Sequence, residues 1–333
     1  MNKVKVGITG IGSVVGQAVI KSILHSNLHK MISMVGFDYF KDTIGSFWVE
    51  KSFLLPDCLK KEIAIEMWVD KIIEYIKLEN IKFLLVSLDF ELRLIAKYKE
   101  LIESKTQCRV LISDMRVIEI ADDKYLTYKF LKGGGLYYPK TLLLEELDRE
   151  KIDFPCIVKP RFGSRSRDIF IVNNIRELKY RLGLVNQPII QELIGSSHDE
   201  YTCGIIYLED SIKGMIALRR ELKDGNTLTA YFIKDIPGII YDYLYRIATR
   251  LKPFGACNFQ LRIDGQNIPK VFEINARHSG TTYIRALFGF NEVEYILAYF
   301  LGYKVENFKL KEGVVKRYYE EMFIKSEKLK IIR

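Results

Sequence analysis

The chain has 333 residues, is 48% hydrophobic and 28% charged, and carries a formal net charge of +9. That length exceeds one ordinary core, the composition is that of a globular protein, and no apolar run reaches the roughly 20 residues that cross a bilayer. Cys58, Cys108, Cys156, Cys203 and Cys257 are isolated, odd in number and form no CxxC pair, a pattern that suggests neither a disulfide framework nor a zinc site.

In chain order, Val4–Thr9 reads as a strand, entered without an apolar signal segment, so a cytoplasmic protein is expected. A glycine turn and an amphipathic helix from Val15 to Leu24 follow, then a strand at Met31–Phe37 and a helix at Asp70–Leu78. Ile81–Ser87 is an apolar run of strand length, Glu91–Ser104 is helical, and Val110–Ser113 closes the series. Alternating strands and helices predict a parallel sheet covered on both faces, with a boundary near 115–122.

The pattern then changes to short strands at Cys156–Lys159, Ile169–Val172, Ile189–Glu192, Tyr201–Leu208, Ser211–Ala217, Asn258–Ile263 and Lys270–Asn275. Several are joined by turn residues such as Asp224-Gly225-Asn226 and Asp264-Gly265, and helices at Ile175–Leu182 and Ile239–Leu251 interrupt them. This second part is an α+β unit dominated by antiparallel sheet. The basic residues favour anionic partners but are scattered. Their densest cluster, Lys325 to Arg333, is short and has no aromatic recognition module beside it, so dedicated nucleic-acid binding is not expected.

Gly7, Gly10, Gly12 and Gly16 surround the first strand-to-helix turn, with Asp38 after the second strand. In a dinucleotide-binding fold such glycines admit pyrophosphate and the acid holds ribose. Tyr125-x-x-x-Lys129 adds a pair found in short-chain reductases, so an NAD(P)-dependent oxidoreductase is one reading. The other is a tight strand–helix packing turn, with room for a small substrate at the edge of the sheet.

A phosphate and metal constellation is spread over 121–290. Lys159 stands on the strand Phe154–Pro160, beside the polar turn Arg161-Phe162-Gly163-Ser164-Arg165-Ser166-Arg167. A point charge and backbone N–H donors there suit polyphosphate. Gln191-Glu192-Leu193-Ile194-Gly195, then Glu200, could supply an adenine slot and a ribose acceptor. Asn258-Phe259-Gln260-Leu261-Arg262 and Val271-Phe272-Glu273-Ile274-Asn275-Ala276-Arg277 follow. Strand alternation puts Glu273, Asn275 and Arg277 on one face and Phe272 and Ile274 on the other. A hairpin through Asp264-Gly265 brings Gln260 towards Glu273, assembling oxygen ligands for Mg²⁺, with Arg277 as a cation for a phosphoryl group. The alternative is an amphipathic hairpin with a solvated polar face.

Together these residues resemble the ATP-grasp superfamily, and within it the carbamoyl-phosphate-synthase-like branch, over nearly the whole chain. The resemblance implies a Rossmann-like pre-ATP-grasp domain at 1–118 that does not normally use NAD. It implies an ATP-grasp domain at 119–310, with a small lid at about 123–190 and a larger subdomain at about 191–310, and a C-terminal tail at 311–333. Asp123-Lys124 is similar to the motif whose Lys contacts ATP phosphate, and Val158-Lys159-Pro160 to the second ATP lysine. Glu192, Leu193 and Ile194 match the adenine hinge and Glu200 the ribose acceptor. Gln260, Glu273 and Asn275 match the metal ligands, and Arg277 the arginine beyond them. Arg219-Arg220 matches a basic pair near phosphate or substrate, so Arg220 and Arg277 are the catalytic candidates. Arg165 and Arg167 stand where small residues are common, and no role is assigned to His278.

The implied chemistry is Mg²⁺–ATP-dependent ligation, with Mn²⁺ as a substitute metal. A small-molecule carboxylate becomes an acyl phosphate and is attacked by an amine or another nucleophile. The alternatives are carbamate or carboxyphosphate chemistry and an ATP-binding protein without turnover. No membrane span is expected, and a homo-oligomer is left open.

Overall fold

The computed structural model describes residues 3–60, 62–148, 151–163 and 168–326. In the first unit, β1 (Val4–Thr9), β2 (Ile32–Asp38), β3 (Lys51–Leu54), β4 (Phe83–Leu85) and β5 (Arg109–Val110) form a parallel sheet in the order β3-β2-β1-β4-β5. The helices are α1 (Val14–Leu24), α2 (Ile65–Glu79) and α3 (Asp89–Thr106). All seven residues of β2 are buried, because both faces of the sheet are covered. On one face α1 packs Val19, Ile20 and Ile23 with Ile8 and Leu85; on the other, Trp68, Ile72 and Ile95 pack with Phe37 and Leu84. The helix expected from Asp70 starts at Ile65, since Trp68 and Val69 extend its buried stripe. The short, half-exposed edge strand β3 left no periodic signal.

The glycine turn is a packing device. A Cβ on Gly16 would lie 2.2 Å from the Gly10 carbonyl oxygen, and Gly10 has φ of 58°, so both positions require glycine. Asp38 accepts from the Gly12 N–H at 2.7 Å and from the Tyr39 and Phe40 N–H groups. Both of its oxygens therefore serve the chain's own loops. Tyr125 and Lys129 lie beyond this unit, and the Tyr125 hydroxyl donates to Glu146 at 2.5 Å. These contacts weigh against the dinucleotide reading.

Two helices with no counterpart in the expected element order follow, α4 (Met115–Asp122) and α5 (Lys124–Gly133). Asp114 caps α4 by accepting from Val117 N–H, and Asp123 caps α5. The expected boundary at 115–122 is therefore a helix with Val117 and Ile118 in the core, not an open linker. One apolar cluster includes Ile72 of the first unit, Val117 of α4 and Phe259 of the large sheet.

The small sheet contains β6 (Thr141–Leu143), β7 (Cys156–Pro160), β8 (Phe170–Val172) and β9 (Pro188–Glu192), antiparallel in the order β6-β9-β7-β8, with α6 (Ile175–Leu182) beside it. The large sheet contains β10 (Glu200–Leu208), β11 (Ser211–Lys223), β12 (Asn226–Phe232), β13 (Gly255–Ile263), β14 (Pro269–Asn275) and β15 (Gly313–Lys316). It runs antiparallel in the order β14-β13-β10-β11-β12-β15, with α7 (Gly238–Leu251), α8 (Thr282–Leu287) and α9 (Glu292–Phe300) packed on it. The stretch 311–333 is thus not wholly a tail: β15 pairs with β12, Thr229 opposite Lys316. Among the described residues, no helix is long and apolar enough to cross a membrane.

A buried charge cluster ties α8 to α9. Glu292 accepts from Arg285 Nε at 2.8 Å and Nη2 at 2.7 Å, from the Thr282 hydroxyl at 2.6 Å, and meets His278 Nδ1 at 3.1 Å. Burial alone would raise the Glu292 carboxyl, but the Arg285 charge and these hydrogen bonds outweigh it and hold the group down at about 2. His278 is thereby given a structural neighbour rather than a free ring. Glu292→Gln should cost about 3–5 kcal/mol of unfolding free energy, because Arg285 is left buried without its counter-charge. Because the native pKa lies below the unfolded one, this contribution is present above roughly pH 4.3 and is lost as pH falls towards 2. Urea melts of both proteins across that window should converge; a constant gap would assign the cost to packing.

Candidate active site

The polar face of the large sheet is built on β13 and β14. Gln260 pairs with Glu273, and its Nε2 donates to Glu273 Oε1 at 3.0 Å. Asn275 Nδ2 donates to the same oxygen at 3.0 Å. The ladder then skips a residue, because Leu261 pairs with Val271. Phe272 is the extra residue of a β-bulge, and it resets the alternation. Val271 and Ile274, three apart, both enter the core. The Phe272 ring lies 5.5 Å from Lys159 Nζ. The expectation that Phe272 faces away from Glu273 is therefore corrected: both address the same site.

Lys159 reaches this face from β7. It is 4% exposed, and its Nζ donates to Gln191 Oε1 at 2.7 Å; Gln191 is held in turn by the Thr141 hydroxyl at 2.8 Å. Burial, then the nearby Lys124 charge, push the Lys159 ammonium down to about 7, with Glu273 and Glu200 opposing. Lys124 opens α5, and its Nζ donates to the Gly163 carbonyl at 2.7 Å. Its neighbour Asp123 takes a bidentate pair from Arg161, with Nη2 at 2.6 Å. Arg165 and Arg167 lie outside the described residues.

Glu200 is buried between two guanidinium groups. Arg220 reaches Oε1 through Nε at 2.9 Å and Nη2 at 2.6 Å; Arg262 reaches Oε2 through Nε at 2.9 Å and Nη2 at 2.8 Å. The roughly four lone-pair sites of a carboxylate are then filled. A ribose hydroxyl could bond Glu200 only by displacing one of these N–H groups. Arg220 Nη2 also donates to Gln260 Oε1 at 2.7 Å. Arg219, its neighbour on β11, lies 4.7 Å over the Tyr231 ring, and its Nε is buried with no hydrogen-bond partner among the described residues.

Glu192, at the end of β9, pairs with Lys270 at 2.5 Å and accepts from the Lys140 N–H at 2.9 Å. Leu193 is half-buried and Ile194 buried. Arg277 lies past the end of β14, where alternation no longer sets its direction. Its Nε and Nη2 form a bidentate pair with Asp89 at 2.6 Å each, and Nη1 donates to the His278 carbonyl at 2.7 Å. The cation expected to be free for a phosphoryl group thus joins the large sheet to the start of α3.

Asp89, Asp122, Lys124, Glu273 and Asn275 line a cavity of about 50 Å³. Asp89, Arg262 and Gln191 are site residues that the sequence reading did not select. Gln191 and Arg262 lie within the segments that carry Glu192 and Gln260, whereas Asp89 has only the signal of an acid at a helix start. Glu273, Gln260 and Asn275 together offer one carboxylate and two amide oxygens, donors of the type Mg²⁺ takes. Among the described residues no group of three or more His, Cys, Asp or Glu could hold a metal alone. The donor set fits a cation that arrives with anionic ligands of its own.

A family model described as "ATP-grasp in the biosynthetic pathway with Ter operon" matches residues 198–322, and an ATP-grasp domain model matches 121–209. Between them the two ATP-grasp models span residues 121–322. The chain is 23% identical over 262 residues to a carbamoyl-phosphate synthase of Methanobrevibacter smithii, covering 73% of the chain and 67% of that protein. It is 28% identical over 185 residues to D-alanine–D-alanine ligase A of Bacillus cereus, covering 49% of the chain and 60% of the ligase, which is less than two thirds of that relative. N5-carboxyaminoimidazole synthetase from Staphylococcus aureus, solved with ADP, superposes with a TM-score of 0.72 at 14% identity, covering 92% of this chain and 80% of that one, and so shares its fold.

Proposed function

We propose that this chain is a ligase that uses Mg²⁺–ATP to activate a small carboxylate as an acyl phosphate for attack by an amine. The observation that carries the reading is the convergence of two lysines on one linked carboxylate: Lys159 beside Phe272, and Lys124 on the wall of the cavity that contains Glu273. Lys124 and Lys159 hold the phosphates. Glu192, Leu193 and Ile194 receive the adenine, and Glu200 meets the ribose after an arginine N–H gives way. Gln260, Glu273 and Asn275 hold the cation, their amide oxygens turning towards it. Mg²⁺, when bound, supplies charge compensation on the transferring phosphoryl group. Arg220 orients Gln260 and Arg277 orients Asp89, so both act as positioning residues in place of the direct phosphoryl contact expected from the sequence.

The acid's oxygen attacks the γ-phosphorus and the β–γ bridging oxygen leaves with ADP. The amine nitrogen then attacks the acyl carbon, the carbon–oxygen bond to phosphate breaks, and the amine proton departs with the phosphate. The likeness to a carbamoyl-phosphate synthase supports a second reading, in which the acid is bicarbonate and the intermediate carboxyphosphate. ATP hydrolysis that rises with added bicarbonate in the absence of another acid would select it.

Mg²⁺–ATP should raise the melting temperature, and NADPH should not. A ligand that binds only the folded state stabilises it by about 2.7 kcal/mol at 100 times its dissociation constant. A shift with NADPH and none with Mg²⁺–ATP would overturn the reading.

A further inference from the structure

A second cavity, of about 530 Å³, shares no lining residue with the first. It is lined by the later part of α3 (Lys99), the start of α4 (Asp114, Arg116), the β10–β11 turn (Glu209) and the segment after α7 (Lys252, Phe254). Its volume lies within the roughly 300–1,000 Å³ of small-molecule pockets.

The charges in this wall are not equally satisfied. Arg116 Nη2 donates to the Leu251 carbonyl at 2.5 Å, and Lys252 pairs with Asp210 at 2.9 Å. Asp114 caps α4 and Glu209 meets Lys213 at 3.5 Å. Lys99, half-buried, has only a long hydrogen bond to the Ile112 carbonyl at 3.5 Å, and its Nζ lies 5.1 Å over the Phe254 ring. Among the described residues it is the cation of this wall with neither an ion-pair contact nor a short hydrogen bond, Glu103 and Asp114 acting on it only from longer range. Burial lowers its pKa from the usual lysine value, Glu103 opposing and Arg109 adding to the effect. An anion placed here would recover what the ammonium lost by leaving water. The neighbouring carboxylates disfavour a second negative charge, and the Phe254 ring offers a face to an apolar body.

The position matters as much as the chemistry. Lys99 lies ten residues, or about 15 Å, along α3 from Asp89, which bonds Arg277 at the first cavity. α4 runs from Asp114 in this cavity to Asp122 in the other, with Lys124 just beyond. Two helices therefore span both cavities. We propose that the second cavity is an effector site for a small monocarboxylate with an apolar body, coupled to the nucleotide site through α3 and α4.

The test is calorimetric titration of the full chain with phenylacetate and with its neutral isostere phenylacetamide. The protein is used as wild type, Lys99→Met and Lys99→Arg. Phenylacetate should bind saturably, and about tenfold or more tighter than the amide, the size of one charge-assisted hydrogen bond. Lys99→Met should lose that margin while still binding a non-hydrolysable Mg²⁺–ATP analogue, and Lys99→Arg should keep it. Saturating phenylacetate should change the analogue's Kd by about fivefold or more, and this change should vanish in Lys99→Met. Absence of saturable phenylacetate binding, equal binding by Lys99→Met, or an unchanged nucleotide Kd at saturation would each overturn the proposal. The first titration is read without nucleotide, so its failure is distinct from failure of the ATP reading.

Discussion

Glu273→Gln is expected to cut acid-dependent ATP consumption by about 100-fold, or about 2.7 kcal/mol of activation free energy, with a much smaller loss of nucleotide affinity. Glu273 is the carboxylate of the Gln260–Glu273–Asn275 set, and both amides donate to its Oε1. The substitution keeps the volume and removes the charge that would hold a cation against the moving phosphoryl group. Gln260 and Asn275 remain to meet the metal, so the loss should fall on kcat, and raised Mg²⁺ should recover part of it. Near-normal turnover by this variant would reduce the polar face to a structural hairpin.

Lys159→Met is expected to weaken Mg²⁺–ATP binding by about 10- to 100-fold without lowering the melting temperature of the ligand-free protein. The two halves have one cause. A buried ammonium with a pKa of about 7 costs the fold stability below that pH, and this cost fades as pH rises from 7 towards the unfolded value near 10.4. Removing it relieves the apo protein and deprives the triphosphate of a charge-assisted hydrogen bond. A triphosphate beside Lys159 favours its protonated form, so wild-type binding at pH 8 should take up a proton. The apparent enthalpy should then vary with the ionisation enthalpy of the buffer. That dependence should disappear in Lys159→Met and, for the wild type, below about pH 6. A destabilised variant that binds ATP normally would make Lys159 a core residue only.

Much of this site was legible because its signals are local. Two-residue alternation on β13 and β14 puts Gln260, Glu273 and Asn275 on a common face, and the turn at Asp264-Gly265 sets a hairpin that brings the strands together. Lys159 could be placed on a strand because Cys156–Pro160 is a short apolar run that ends in proline. The caps Asp114 and Asp123 act just as locally, each accepting from N–H groups two or three residues on to start α4 and α5.

The sequence by itself therefore determined the two kinds of unit, a parallel sheet followed by antiparallel ones, and which strands carry the cationic and oxygen-bearing side chains. Those properties follow from side-chain periodicity and turn chemistry, which act within a few residues. Only the tertiary structure decided how the groups are committed. Asp89 and Arg277 pair across 188 positions of sequence, and Arg262 reaches Glu200 across 62. The skipped residue at Phe272 depends on its partner strand, and β15 is a strand only because β12 offers it an edge. The lowered pKa of Lys159 arises from burial beside Lys124, contributed by separate elements. Ion-pair partners, bulges and desolvation are fixed by which surfaces pack together, and spacing along the chain carries no record of that.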